Sequence, residues 1–352
     1  MKRFLLLLAN EFRLARTAIP IHLVVIFQPT VMFLLMSTIL VHPTFDMNVT
    51  RPHDDQGQAL VAAMTEVGSP IGKAYIRPIL VDTSDARAMR QVVSVEDVDG
   101  IPTAVQRYGF VDSNVVKNFR NRLTAAGLLV WNDDLGDGAV TVVEHPWLPR
   151  DMPFALYFGM ALLPMTVALS ASVLGGILSA QEFEFCTILE YRLAPTPVAL
   201  ILGARLLRLL LSGLLAAGWL LVAVALVTGV WPSSVFLVGL ILLPVGIIAG
   251  SLGIIAGLLL QKTIPAFLVG LVTSFVAWIL GSAFGLAAGF SRAYELISHL
   301  TPNTYAVDLL FPTYFGMTIG NPLISALVLV VMSVVMVLLA MLVYRRQVLR
   351  LR

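Results

Sequence analysis

The chain has 352 residues, 58% of them hydrophobic and only 12% charged, with a formal net charge of +2. A soluble domain carries about 25% charged residues, so most of this chain is composed for contact with lipid. So small a net charge excludes the phosphate neutralisation that nucleic-acid binding needs, and the single cysteine, Cys186, excludes an intrachain disulfide.

At the N-terminus Lys2 and Arg3 precede a short apolar run, residues 4–9, which Asn10, Glu11, Arg13 and Arg16 interrupt. No small-residue cleavage site follows, so residues 1–16 read as an amphipathic helix lying in the membrane interface and not as a signal peptide. At about 100° per residue Phe4, Leu5, Leu8, Phe12 and Ala15 share one face, and Lys2, Arg3, Asn10, Arg13 and Arg16 the other.

Residues 17–45, 152–180, 209–260, 264–290 and 322–344 contain no Asp, Glu, Lys or Arg. A crossing takes roughly 20 apolar residues for a hydrocarbon core of about 30 Å, so these stretches predict six spans, two of them within 209–260. The expected class is a mainly α, polytopic membrane protein with an N-terminal interfacial helix and a small α/β extracytoplasmic domain between the first and second spans. In chain order this gives an interfacial helix (1–16), a first span (17–41), an outer domain (42–151), a second span (152–180) and a cytoplasmic helix (181–198). Spans three to six follow (199–344), with an outer re-entrant loop at about 291–321 and then a basic tail (345–352). Ion-coupled transporters keep ionisable relays in mid-membrane, each costing about 2.5–3.5 kcal/mol to insert. These stretches hold none, so energy for transport is expected from another polypeptide.

Orientation follows from Lys2, Arg3, Arg13, Arg16, Arg192, Arg205, Arg208, Lys262, Arg345, Arg346, Arg350 and Arg352, which collect on one side when the N-terminus is placed inside; the short outer loops hold only Arg292. The positive-inside rule then makes both termini cytoplasmic in the cell membrane. Residues 344–352 read as an aromatic and basic interface anchor attracted to anionic lipid.

Fifteen acidic and ten basic residues fall within 42–151, as a water-exposed folded domain requires. Residues 74–81, 103–111 and 139–144 read as strands from their β-branched and aromatic content. Ser113 is the expected N-cap of a helix in which Val115, Val116, Phe119, Leu123 and Ala126 recur at helical spacing. Gly68-Ser69-Pro70-Ile71-Gly72-Lys73-Ala74 has some likeness to a phosphate-binding loop, but it is one residue short and ends in Ala where a hydroxyl must reach Mg²⁺. His22, His42, His53, His145 and His299 show no paired metal-ligand spacing, and no Ser-His-Asp or Cys-His set is arguable. The chain is therefore not expected to be an enzyme or to hold a metal or cofactor of its own.

Residues 179–197 are as long as a three-turn helix closed by prolines, with Glu182 and Glu184 near its start and Arg192 near its end. Phe183, Phe185, Ile188, Leu189 and Leu193 are too apolar for an idle loop and call for a protein surface or the membrane interface to cover them.

This stretch resembles the hallmark of permease subunits of ABC exporters of the type-2 class, a Glu-x-Glu-x-x-Thr-x-x-Glu helix followed by Pro and a Gly-Lys-like start to the third span. Here Glu182, Glu184, Thr187, Glu190, Pro195 or Pro197, and Gly203-Ala204-Arg205 supply it. Leu300-Thr301-Pro302-Asn303-Thr304-Tyr305-Ala306-Val307-Asp308-Leu309-Leu310 is similar to the Pro-containing outer loop between spans five and six of that family. The likeness covers nearly the whole chain; Cys186 stands where Gly is usual, and Phe311 where Arg is frequent.

The resemblance implies a separate cytoplasmic ATPase that binds ATP and Mg²⁺. Glu182, Glu184, Thr187 and Glu190, with Arg13 and Arg16 as neighbours, would form or support the surface coupled to it. It implies a second permease chain, identical or related, and an outer loop carrying Pro302 and Tyr305. Gly281, Gly285 and Gly289 repeat at spacing four in the fifth span, as do Gly246/Gly250 and Gly253/Gly257 in the fourth; a dimer seam and packing within one subunit both account for such glycines. Pro29, Pro164 and Pro244 fall inside spans and should kink them. Met160, Thr166, Ser170, Thr273, Phe275, Trp278 and Ser282 are candidate pathway positions for a hydrophobic or amphipathic small molecule or lipid. A signalling or force-transmitting membrane protein whose outer domain binds an envelope partner is the main alternative, and an ion-coupled transporter a weaker one.

Overall fold

The computed structural model describes residues 2–15, 19–40, 45–52, 54–68, 74–82, 91–98, 101–108, 113–134, 153–188, 197–281, 283 and 292–350. In chain order the elements are α1 (Lys2–Ala15), α2 (Ile19–Leu40), β1 (Phe45–Thr50), α3 (Asp55–Glu66), β2 (Ile76–Val81), β3 (Gln91–Val98), β4 (Ile101–Tyr108), α4 (Ser113–Asp134), α5 (Phe154–Glu184), α6 (Val198–Thr228), α7 (Val235–Leu260), α8 (Thr263–Leu280), α9 (Arg292–Ser298), α10 (Pro302–Phe315) and α11 (Pro322–Arg350). They fall into two compact units, Met1–Ile39 with Phe154–Arg352, and Leu40–Pro153.

In the first unit α2, α5, α6, α7, α8 and α11 are the six helices, among the described residues, that are long and apolar enough to cross a membrane. By length and composition this is a multi-pass helical membrane protein. α5 is the hub, packed on α6, α7, α8 and α10: its most apolar stretch is wholly buried, whereas only 17% of that of α11 is. The outward faces of α8 and α11 carry Val272, Val276, Val331, Val334 and Leu338, all exposed. Continuous apolar surface of that kind is stable when lipid covers it.

Small residues bring α5 and α7 into backbone contact. A Cβ on Gly253 would lie 2.1 Å from the Ser172 carbonyl oxygen, and one on Gly257 2.4 Å from that of Gly176. Across the next crossing, Ser172 Oγ donates to the Gly270 carbonyl at 3.0 Å and lies 2.7 Å from Ser274 Oγ, tying α5 to α8. The glycines of the fourth span thus pack inside this subunit, and Gly281 does so against Asn303 and Thr301; Gly285 and Gly289 lie outside the described residues. Pro29, Pro164 and Pro244 are all helix-internal.

Two boundaries differ from the charge-free stretches. The long stretch 209–260 divides where α6 ends at Gly229, whose φ of +71° suits a residue without a Cβ, and where Ser234 caps α7 by accepting from Leu237 N at 3.2 Å. α6 itself begins at Val198, so Arg205 and Arg208 lie inside this helix. α5 continues past residue 180 to Glu184.

The second unit is a four-stranded sheet of order β2-β1-β3-β4, with β1 parallel to β2 and β3, and β3 antiparallel to β4. Met47, Val49, Ile76 and Val93 from the strands meet Leu60, Ala63 and Met64 of α3 and Leu123 and Ala126 of α4 in its core. Asp54 caps α3 by accepting from Gly57 N at 3.0 Å. β2 and β4 lie where β-branched content placed strands, whereas β1, β3 and α3 had no counterpart in that reading. The β1 sequence Phe-Asp-Met-Asn-Val-Thr mixes strand formers with two residues depleted in strands, and its burial rather than its propensity decides its state. The expected strand at 139–144 lies outside the described residues, as does the core of the phosphate-loop-like segment, whose ends Gly68 and Ala74 pair in a β-bridge. Ser113 is the first residue of α4.

Candidate functional site

α1, α5 and α6 meet at a buried lattice of charges. Arg205 and Arg208 are three residues apart on α6 and so share a face. Ser179 and Glu182 share a face of the last turns of α5 in the same way. Arg205 Nη1 donates to Glu182 Oε2 at 3.1 Å and to Ser179 Oγ at 3.3 Å, and its Nη2 is paired with Glu182 Oε1. The guanidinium also donates to Glu11 Oε1 through Nε at 3.3 Å and Nη2 at 3.2 Å. Arg208 Nη1 reaches the other Glu11 oxygen at 3.1 Å, and its Nη2 donates to His22 Nε2 of α2 at 3.0 Å. Tyr344, near the end of α11, is buried within electrostatic reach of Arg205.

All four charged side chains are nearly sealed from solvent, with Arg208 at 0% and Glu182 the most exposed at 6%. Two carboxylates balance two guanidiniums, so the group is neutral as a set although each charge alone would be costly to bury. Charge-assisted and forked hydrogen bonds fix the relative positions of the three backbones. The expectation of a helical body without internal ionisable groups therefore does not hold at this end of the bundle. The reason lies in the sequence: charge-free runs were bounded at residue 209, and the arginines stand just before it.

The packing of α1 follows from Glu11. Phe4, Leu7, Leu8 and Glu11 form its covered stripe, while Leu5 and Phe12, expected on the same apolar face as Phe4, are exposed. Arg13 is exposed in the last turn, and Arg16 lies outside the described residues.

Just beyond the lattice the chain breaks. Glu184 ends α5, and Cys186 adopts a φ of +56°, the left-handed conformation that a glycine takes at lower cost. Phe185 is 69% exposed, and Cys186 is exposed beside it. Thr187 Oγ1 donates back to the Glu182 carbonyl at 3.5 Å. Glu184 serves a different helix: its carboxylate accepts from the backbone N–H of Thr263 at 2.8 Å and from the Thr263 hydroxyl. That N–H is one of the orphan donors at the start of α8, so Glu184 caps the fifth span from the end of the second. The Thr263 bonds and nearby Lys262 hold the Glu184 carboxylate against the turn between α7 and α8.

The sequence-derived residues therefore separate. Glu182 is inside and Glu184 outside, Thr187 is half-buried, and Glu190 lies outside the described residues. Of the pathway positions, Met160, Thr166, Ser170 and Trp278 are buried. Thr166 Oγ1 is occupied by the Leu162 carbonyl at 2.8 Å, whereas the Ser170 hydroxyl has no hydrogen-bond partner. Phe275 stands edge-on to Trp278, ring centroids 6.4 Å apart, and Thr273 Oγ1 donates to the Val269 carbonyl at 2.7 Å; Ser282 lies outside the described residues. Pro302 opens α10, and Tyr305 donates to the His299 carbonyl at 2.9 Å. Glu11, Arg208 and His22 were not singled out as site residues, and Tyr344, expected in an interface anchor, is instead fully buried against the bundle. The available signal was one acidic residue in an otherwise basic helix, together with two arginines at helical spacing on the edge of a span. Neither a comparison with models of known protein families nor one with curated proteins finds a match for this chain.

Proposed function

We propose that this chain is the membrane-spanning permease subunit of an ATP-driven exporter of the ABC type-2 class. It works with a second permease chain and a separate cytoplasmic ATPase that binds ATP and Mg²⁺. Both termini lie in the cytoplasm, and the Leu40–Pro153 unit lies on the outer side. The cargo is a hydrophobic or amphipathic molecule.

The observation that carries the proposal is the lattice of Glu11, Glu182, Arg205 and Arg208, with Glu184 bound to Thr263 beside it. It fastens the N-terminal helix, the end of the second span and the start of the third into one body, and latches the start of the fifth span to it. A machine driven by a neighbouring ATPase needs such a stiff plate, because displacement applied at one point must reach several spans before it dissipates. The plate carries outward-facing apolar groups, Phe185, Leu5, Leu6 and Phe12, that a partner or the lipid interface would cover. Because Glu182 is enclosed, its role in coupling is to hold the plate, and contact with the ATPase falls to Phe185, Thr187 and their neighbours.

The test is extraction from native membranes in mild detergent. The expected result is an ATPase in equal amount and two permease chains, with cargo flux in proteoliposomes only when ATP and the ATPase are present. Purified chain that by itself pumps uphill under an ion gradient, or that hydrolyses ATP, overturns the proposal. Robust ATPase association without solute flux would favour a force-transmitting protein instead.

A further inference from the structure

About 37 Å along α5 from Glu182, a second acidic group has no such balance among the described residues. Asp308 is half-buried on α10, and none of the salt bridges among the described residues involves it. Its Oδ2 accepts from Ser325 Oγ of α11 at 3.3 Å. α5, α7, α8 and α10 contain no Lys or Arg. The described arginines of α11 begin at Arg345, 20 residues past Ser325 and thus about 30 Å along the helix. Arg292, at the start of α9, is exposed and unbridged to it; His299, also exposed, lies within electrostatic reach of it. Among the described residues no fixed cation pairs with this half-buried carboxylate, and a carboxylate so placed gains from a proton or a cation supplied from elsewhere.

The surroundings are aromatic. Tyr157 of α5 and Tyr305, one turn before Asp308 on α10, lie within electrostatic reach of the carboxylate. Tyr294 of α9 lies within reach of Tyr157, and its hydroxyl donates to the Ile279 carbonyl of α8 at 2.6 Å. Next to Ile279 is Trp278, which meets Phe158, the neighbour of Tyr157, edge-on at 5.8 Å. Helices α5 and α10 thus each place a tyrosine within reach of the acid, and Tyr294 ties α9 to α8 beside Tyr157. Aromatic faces attract cations, and most strongly where water is scarce.

We propose that Asp308, with Tyr157 and Tyr305 beside it, binds the positively charged group of a hydrophobic organic cation, an amine or an onium ion. As a cargo site it rests on the export reading above; as a binding site it belongs to this chain alone. Burial pushes the Asp308 carboxyl above its ordinary value, with the Ser325 hydrogen bond and His299 acting in the opposite direction. A bound cation removes that penalty.

The experiment is equilibrium binding of tetraphenylphosphonium to the purified full chain in lipid nanodiscs near neutral pH, against empty nanodiscs, with tetraphenylborate as an anion of the same shape. Wild type should bind the phosphonium saturably and not the borate. Asp308→Asn, which keeps the shape and the Ser325 contact, should bind about tenfold more weakly, and Asp308→Glu should stay close to wild type. Size-exclusion elution and thermal midpoint check that each variant is folded; if Asp308→Asn does not fold, acidification of wild type replaces it and should release the phosphonium. Equal binding by Asp308→Asn, equal binding of both ions, or no saturable binding overturns the site. An ATPase that copurifies while phosphonium does not bind refutes only this site. Phosphonium binding without any ATPase refutes only the export reading.

Discussion

Glu11 and Arg205 are 194 positions apart in the chain and meet at 3.2 Å, both almost fully enclosed. Removing Glu11 strands Arg208, which among the described residues then keeps only His22, and leaves two buried guanidiniums to the one carboxylate of Glu182. Glu11→Ala should therefore cost about 3–5 kcal/mol of stability, read as a lowered thermal midpoint in detergent. The double variant Glu182→Leu with Arg205→Leu should recover part of what Glu182→Ala alone loses, because an uncompensated charge is worse than a missing pair. A Glu11→Ala protein as stable as wild type would show that the lattice holds nothing together.

Glu184 should behave differently from Glu182. It is exposed and caps α8 through Thr263, so Glu184→Ala is expected to lower the thermal midpoint far less than Glu11→Ala does. On the export proposal, the complex of this variant with the proposed ATPase should hydrolyse ATP at a near-normal rate while cargo flux falls severalfold, because the start of the fifth span is no longer held to the plate. Unchanged flux per ATP in Glu184→Ala would remove Glu184 from the coupling route.

Gly257→Ala should destabilise by about 1–3 kcal/mol, because the added methyl meets the carbonyl of Gly176, and backbone cannot step aside as a side chain can. Gly218→Ala and Gly239→Ala, helical positions where nothing lies within 4 Å of an added Cβ, should be neutral or slightly stabilising. Thermal midpoints of the three variants, measured side by side, separate close helix packing from a general intolerance of substitution.

Cys186→Gly should raise stability by about 1 kcal/mol, since its φ of +56° is strained for any residue with a Cβ. Cys186→Val should lower it by more. If Val and Gly are equivalent there, the chain does not turn at this residue in the way described.

Phosphonium binding should rise with pH. Only the ionised Asp308 attracts a cation, and burial holds this carboxyl above the ordinary aspartate value near 4, so binding should be half lost at a pH above that value. The stability of the empty protein has the opposite sign. A carboxyl raised in the fold favours the native state while protonated, and that contribution disappears as pH rises through its folded value. Titrations of binding and of thermal midpoint on one preparation check both signs.

Much of the architecture was legible because lipid imposes a simple rule: long apolar runs become helices. Six of them could be read from composition and length. The lattice could not, because Glu11, Glu182 and Arg205 belong to three separate segments, and no local pattern states that they converge. Counting spans only over uncharged runs also left Arg205 and Arg208 outside the apolar stretch, although both lie within the helix that begins at Val198. Glu182 and Glu184 looked equivalent as neighbours in a motif. Two residues along a helix, however, are some 200° apart, and so one points into the bundle and the other away from it. In the Leu40–Pro153 unit, β1 and β3 escaped notice because strand state there is decided by the sheet as a whole rather than by the residues of one strand.

α5 is a single helix of 31 residues, about 46 Å from end to end, with Tyr157 near one tip and Glu182 near the other. Such a rod acts as a lever. Whatever tilts the tip clamped by Arg205 must swing the tip beside Asp308, except for the part of the motion that bending at Pro164 absorbs, where the hydrogen-bond ladder lacks a donor. Loosening or stiffening that one joint would change how far a stroke at one surface travels to the other, without touching either surface.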